Sequence, residues 1–422
     1  MNKETLFTEL VTPENKSDKK KILFYGDSPL TYTGLGHVTY QIVKALEDDF
    51  DISVCAINQF NEVPKDLKYK LYMTKSPATD PLNQELLTML IKESTFDILF
   101  FAVDWNYVTP LNPIIEERLK KDKFKIILYT PIDLEEIRKE LAEQFLLYDY
   151  IVTYSEEGVR VLTQALGKKY DKISIIPNGI DSITFHPLSL SKIRKERKKI
   201  FKLEDRDFLM INVARNQWRK DLGRSMFVFK LWRDYLHSLD PKVKTKLYIH
   251  AADNDVGGNL GAIAYSLGIE TDFLTLPGSV FEQGGVKPEF LNTLYNCSDL
   301  LISTSIGEGW GLPITEAMCT KTPVLVPYNT AMIDLVKDNR GFFAKSGASQ
   351  SEYFIYGSET SFMRPLVNVE DMLVQLKKIY DLRRGLVWTG EMLDIIENAY
   401  NFAHDLSWEK VGDLWQTFLK NI

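Results

Sequence analysis

Short apolar runs, each long enough for one buried strand and most followed by a segment of helical periodicity, recur along this chain and leave little choice of architecture. The first, Lys21-Ile-Leu-Phe-Tyr-Gly26, passes through a Thr/Gly loop into residues 37–46, where Val38, Ile42 and Leu46 share one helical face. Further strands are expected at residues 51–58, 96–103, 125–130, 150–154 and 172–176, with helices at 84–91 and 134–145 between them. Strands alternating with helices imply right-handed β–α–β crossovers and a parallel sheet.

The pattern breaks at Pro177-Asn-Gly-Ile-Asp181 and Pro187, and a basic run with few apolar residues follows at 192–202. That run reads as a linker and a solvated helix, since a charge run is usually a solvated face. The alternation then restarts, with strands at 208–214, 245–250, 273–276, 299–303 and 323–327 and helices at 222–238, 260–267, 288–297 and 331–337. The tail is amphipathic, with Trp408, Val411, Trp415 and Leu419 along one stripe. The organisation expected is a loose leader at 1–20, a Rossmann-like domain at 21–186, and a second at 187–404. A C-terminal helix at about 405–422 is expected to pack back on the first domain.

Composition narrows the function classes. A formal charge of -7 gives no push towards a nucleic-acid surface. Three cysteines stand far apart inside apolar runs, as buried small hydrophobes do, and the five histidines lack metal-ligand spacing. No apolar leader or membrane-length uncharged run is found, so a cytoplasmic location is expected.

Chemistry concentrates at three strand ends, where doubly wound sheets bind ligands. In Ser303-Thr-Ser-Ile-Gly-Glu-Gly-Trp-Gly-Leu-Pro-Ile-Thr-Glu-Ala-Met318, a strand meets a helix through Gly307, Gly309 and Gly311. The glycines let the backbone come close to a ligand, Pro313 suits a first helical turn, and the free N–H groups there suit a phosphate. The same junction is also compatible with a purely structural turn. Arg215-Asn-Gln-Trp-Arg-Lys220 follows the 208–214 strand, and Arg215 with Lys220 could clamp a diphosphate. Thr33-Gly-Leu-Gly-His37 is a third, weaker cradle. A nucleotide diphosphate bearing an attached group explains all three. Glu308 would then accept hydrogen bonds from the attached group and Glu316 from a ribose.

These residues resemble the retaining GT-B glycosyltransferases of glycosyltransferase family 4. Glu308 through Glu316 looks like the family's E-x7-E signature, and Arg215 and Lys220 sit where it has its diphosphate clamp. The segment 175–187 is similar to the family's entry into the interdomain linker, and the closing helix resembles its terminal helix. The resemblance implies two Rossmann-like domains facing each other across a cleft, and metal-independent transfer of a sugar from a nucleotide-diphosphate donor with no cofactor. It implies donor contacts from Glu308, Gly36, the amides of Trp310, Gly311 and Leu312, the ribose carboxylate Glu316, and a base-bordering segment at Val280. Retention by front-face attack needs no enzymic nucleophile. One departure stands out: where the family often has a histidine after its strand, Thr130-Pro-Ile-Asp133 follows here. Asp133 either takes that role or caps a helix. His37 and Asp104 are weaker candidates beside it.

The acceptor (saccharide, protein, lipid or nucleic acid), the donor base (UDP, GDP or ADP) and the oligomeric state are left open. Asp-x-Asp matches at Asp49/Asp51, Asp205/Asp207 and Asp253/Asp255 are frequent by chance and carry no metal expectation. The other readings are a transferase on modified nucleic acid, a non-catalytic nucleotide-sugar-binding protein, and a hydrolase using Glu308 and Glu316. The hydrolase would leave the Arg/Lys pair without a task.

Overall fold

The computed structural model describes residues 18–422 except Tyr32, 59–63, Lys65, 75–78, 168–171, 283–284 and 356–362. Most of the expected leader, residues 1–17, therefore lies outside the described residues. The chain forms two compact units, one of Met1–Leu128, Leu147–Asp149 and Trp415–Ile422, the other of Tyr129–Leu146 and Tyr150–Leu414.

In the first unit β1 (Lys21–Asp27) pairs in parallel with β2 (Asp51–Ile57), β2 with β3 (Lys70–Tyr72), and β1 with β4 (Ile98–Ala102). The register sets Phe24 beside Phe100, and their rings stack at 4.7 Å. Trp415, from the helix Trp408–Lys420, is fully buried against Phe100 at 5.1 Å. The helix Gly34–Leu46 starts at Thr33, whose hydroxyl accepts from the Gly36 amide at 3.0 Å. The strand β5 (Lys125–Tyr129) follows.

The second unit opens with β6 (Tyr150–Thr153) and β7 (Ile173–Ile175), paired in parallel. Its main sheet holds β8 (Phe208–Val213), β9 (Thr245–Ala252), β12 (Phe273–Leu276), β13 (Leu300–Ile302), β14 (Val324–Pro327) and β15 (Phe342–Ala344). Small antiparallel pairs lie outside it: β10 (Asn254–Asp255) with β11 (Gly258–Asn259), and β16 (Tyr353–Ile355) with β17 (Met363–Pro365). The strand orders are β3-β2-β1-β4-β5-β6-β7 and β12-β9-β8-β13-β14-β15. In each the chain leaves the central strand in one direction and returns on its other side, which is the doubly wound order with its switch point beside that strand.

Two elements differ from expectation. Residues 134–145 form no continuous helix, only Lys139–Ala142 and a 3-10 turn at Glu143–Leu147. Leu134 and Ile137 are buried, yet residues 131–138 take no helical turn, and helix begins only at Lys139. The basic run is not wholly solvated either, because Arg197 and Phe201 are buried. Arg197 donates to Asp299 at 3.0 Å, as Arg383 does at 2.8 Å, and the Leu209 amide adds a third bond at 2.7 Å. This buried carboxylate joins the linker helix, β8 and the segment after the helix Val369–Asp381. The exposed cations Arg194 and Lys198 pair with Asp205 and Glu204, which offsets part of the run's charge in place.

Candidate active site

The carboxyl ends of β8 and β13 are adjacent across the switch point, and a pocket opens there. Asn212, Ala214, Ser303, Lys220, Glu308 and Pro313 are among the residues that line it. A buried hydroxyl chain fixes its floor. Asn212 donates to Ser225 at 2.9 Å, the Ser225 and Thr304 hydroxyls share a bond of 2.7 Å, and Thr304 donates to the Asp221 carbonyl at 2.8 Å. Lys220 is thereby anchored through its own neighbour, and its Nζ donates to Glu308 Oε1.

Glu308 is held from several sides. Its amide donates to Thr330 Oγ1 at 2.9 Å, its carbonyl accepts from the Ala331 amide at 3.2 Å, and Arg219 Nη1 reaches Oε2 at 3.0 Å. Burial alone would raise this carboxyl, but the charges of Lys220 and Arg219 overcome it and hold the group down to about 2. Burial and the neighbouring Arg219 charge pull the Lys220 ammonium below its ordinary value, with Glu308 opposing them. Glu316, one turn into the helix Leu312–Cys319, accepts from the Tyr295 hydroxyl at 2.7 Å. Burial pushes its carboxyl up to about 7, against the Tyr295 bond that favours the charged form.

Arg215 is separate from this group. Its side chain is 67% exposed and pairs with Asp255 on β10 at 2.9 Å. The second cation at Glu308 is Arg219, which sequence reasoning passed over. Its position beside Lys220 in the same loop was the available signal. Arg219 Nε also meets Asp133 Oδ2 at 3.2 Å, and Arg364 on β17 reaches Asp133 Oδ1 at 3.3 Å. Asp133 thus stands between two arginines. No local pattern marks Arg364 or Tyr295 in the sequence.

The glycines divide their work differently from expectation. A Cβ on Gly309 would collide with Pro131, and one on Gly307 would strike the Asp133 carbonyl and crowd Arg364. These two make room for protein, the segment carrying Asp133. Gly311, at φ 105°, is the one that needs a left-handed backbone, and it precedes a helix start with no side-chain cap and a proline in its first turn. Trp310 is buried, and Leu312 begins the helix half-buried. Val280 lies half-buried in the short helix Gly278–Glu282. Gly36 lies in the first unit, packed so closely on Ser28 and Thr31 that a side chain would clash there.

The aspartate pairs have local tasks: Asp205 binds Arg194, Asp253 accepts from the Gly278 amide, and Asp49 pairs with Lys420. Among the described residues no group of three or more His, Cys, Asp or Glu is placed to hold a metal ion. Among them, too, no helix is long and apolar enough to cross a membrane.

Residues 193–354 match the family model described as Glycosyl transferases group 1. A stretch of 202 residues is 25% identical to an uncharacterized glycosyltransferase of Methanocaldococcus jannaschii, covering 45% of this chain and 47% of that one. Another of 183 residues is 27% identical to the alpha-monoglucosyldiacylglycerol synthase of Streptococcus pneumoniae, covering 43% and 38%. Both matches span less than half the length of those relatives. The crystal structure of Anabaena Alr3699/HepE in complex with UDP and glucose superposes with a TM-score of 0.66 at 17% identity, over 96% of this chain and 100% of that chain.

Proposed function

We infer, from the GT-B fold of two parallel-sheet Rossmann-like domains, that this chain is a glycosyltransferase moving a sugar from a nucleotide-diphosphate donor to an acceptor. The transfer proceeds with retention and without an essential metal. One observation carries the reading: the pocket at the β8–β13 switch point, floored by the Lys220–Glu308 pair and ending at an uncapped helix start.

In this reading Lys220 and the amides at Trp310, Gly311 and Leu312 neutralise the departing diphosphate, where fixed positive groups stabilise developing charge. Arg215 joins them by exchanging Asp255 for a phosphate oxygen. Each Glu308 oxygen spends one acceptor site on a cation and keeps another for a sugar hydroxyl. Glu316 takes the ribose, and Val280 borders the base. Anabaena Alr3699/HepE was crystallised with UDP-glucose, which makes UDP-glucose the first donor to try.

The test is a panel of UDP-, GDP- and ADP-hexoses, scored for release of the nucleotide diphosphate with and without EDTA. Release is expected from one base class and unchanged by EDTA. Glu308→Ala and Lys220→Ala should each lower kcat/KM by roughly 100-fold or more. Turnover that survives both substitutions sinks the site, loss in EDTA sinks metal independence, and an inverted anomer by NMR sinks retention.

A further inference from the structure

Arg219 is tied to the loop after β13 at four successive residues. Its carbonyl accepts from Ser305 Oγ at 3.1 Å and from the Ile306 amide at 2.9 Å, while Nη1 donates to the Gly307 carbonyl and to Glu308. Its Nε turns the other way, to Asp133. One guanidinium therefore spans two carboxylates from distant parts of the chain, and Arg364 and Lys220 close the row at either end. Three cations and two carboxylates alternate along it, Arg364, Asp133, Arg219, Glu308 and Lys220.

Resting on the reading above, we propose that Arg219 is a positioning residue. It fixes the Glu308 and Asp133 carboxylates at one spacing and orientation, so that together they read the hydroxyl groups of the donor sugar. A planar fork can hold two carboxylates in defined directions, whereas an ammonium on a flexible stem supplies charge without direction. With both carboxylates oriented by the same group, their effects on the sugar are coupled. A lysine at 219 keeps the charge beside Lys220, so the groups that hold the nucleotide are disturbed less than the two carboxylates.

The experiment compares wild type, Arg219→Lys, Arg219→Gln, Asp133→Asn and the double variant Arg219→Lys with Asp133→Asn. Calorimetry with UDP and with UDP-glucose is run alongside donor turnover, or with the nucleotide class chosen by the panel. Arg219→Lys is expected to keep nucleotide Kd within about twofold and to lose roughly 10- to 100-fold in kcat/KM for the sugar donor. Adding Asp133→Asn to Arg219→Lys should cost little more, because the coupling is already broken. The idea is overturned if Arg219→Lys is as active as wild type, if it weakens the bare nucleotide and the donor equally, or if the two substitutions add fully. Loss in Glu308→Ala and Lys220→Ala with none in Arg219→Lys removes this inference alone, whereas no loss in any of them removes the glycosyltransferase site itself. Unchanged melting temperatures for Arg219→Lys and Asp133→Asn exclude a folding defect as the cause, and Arg219→Gln should be worse than Arg219→Lys only in turnover.

Discussion

A carboxyl buried against a phenol and one buried between two cations titrate in opposite directions, and the helix Leu312–Cys319 with its preceding loop carries one of each. Glu316 is raised to about 7 from 4.5, so the folded chain binds its proton more tightly than the unfolded one does. Stability is therefore lost as pH rises from 4.5 to 7. Glu316→Gln should melt higher than wild type at pH 8, with the gap closing towards pH 4.5, read by calorimetric melting across that range. Glu308 has the opposite sign. Its folded value of about 2 means that its stabilisation is complete above 4.5 and fades as pH falls towards 2. Wild type should be more stable than Glu308→Gln at neutral pH, and the difference should shrink on acidification. The junction carrying Glu308 and Glu316 was legible because a strand, a glycine turn and a helix start are local patterns. Which cation of Arg215, Arg219 and Lys220 turns towards Glu308 was not, since all three share one loop and only tertiary packing aims them.

At the scale of elements, the loop after β13 and the segment at Pro131–Asp133 fit each other backbone to backbone. Gly309→Ala puts a methyl group into Pro131, and Gly307→Ala puts one into the Asp133 carbonyl. Each should cost about 1–3 kcal/mol, the usual range for overpacking, visible as a fall in urea midpoint at unchanged slope. Gly223→Ala is the control, since its nearest neighbour would be at 3.8 Å. Every strand of the two main sheets that the apolar runs announced is present, and most are buried on both faces, where such a run has few other uses. The helix expected at 134–145 is present only in its second half. Leu134, Ile137, Ala142 and Phe145 are buried at helical spacing although the first half of the segment is not helical, so periodicity alone does not reveal the difference.

For the whole molecule, the two alternating halves were readable, while the ties joining distant stretches were not. Asp299 lies beside Arg197 and Arg383, more than 80 residues away in either direction, and nothing in the local sequence of any of the three announces the others. Asp299→Ala leaves two buried guanidinium groups without their shared partner, and a loss of about 3–5 kcal/mol is expected in equilibrium unfolding. Removing an exposed pair such as Lys68–Asp48 should change little by comparison.

Trp415 adds a matter of timing. Its ring completes a core begun at Phe24 and Phe100, so the first unit cannot be finished until residue 415 has been made. At translation rates of roughly 5–20 residues per second, about 15 to 60 s separate residue 128 from residue 415. During that interval Phe100 has no indole beside it. Nascent chains stalled before Trp415 should be cut by protease within the first unit, and those released with it should resist.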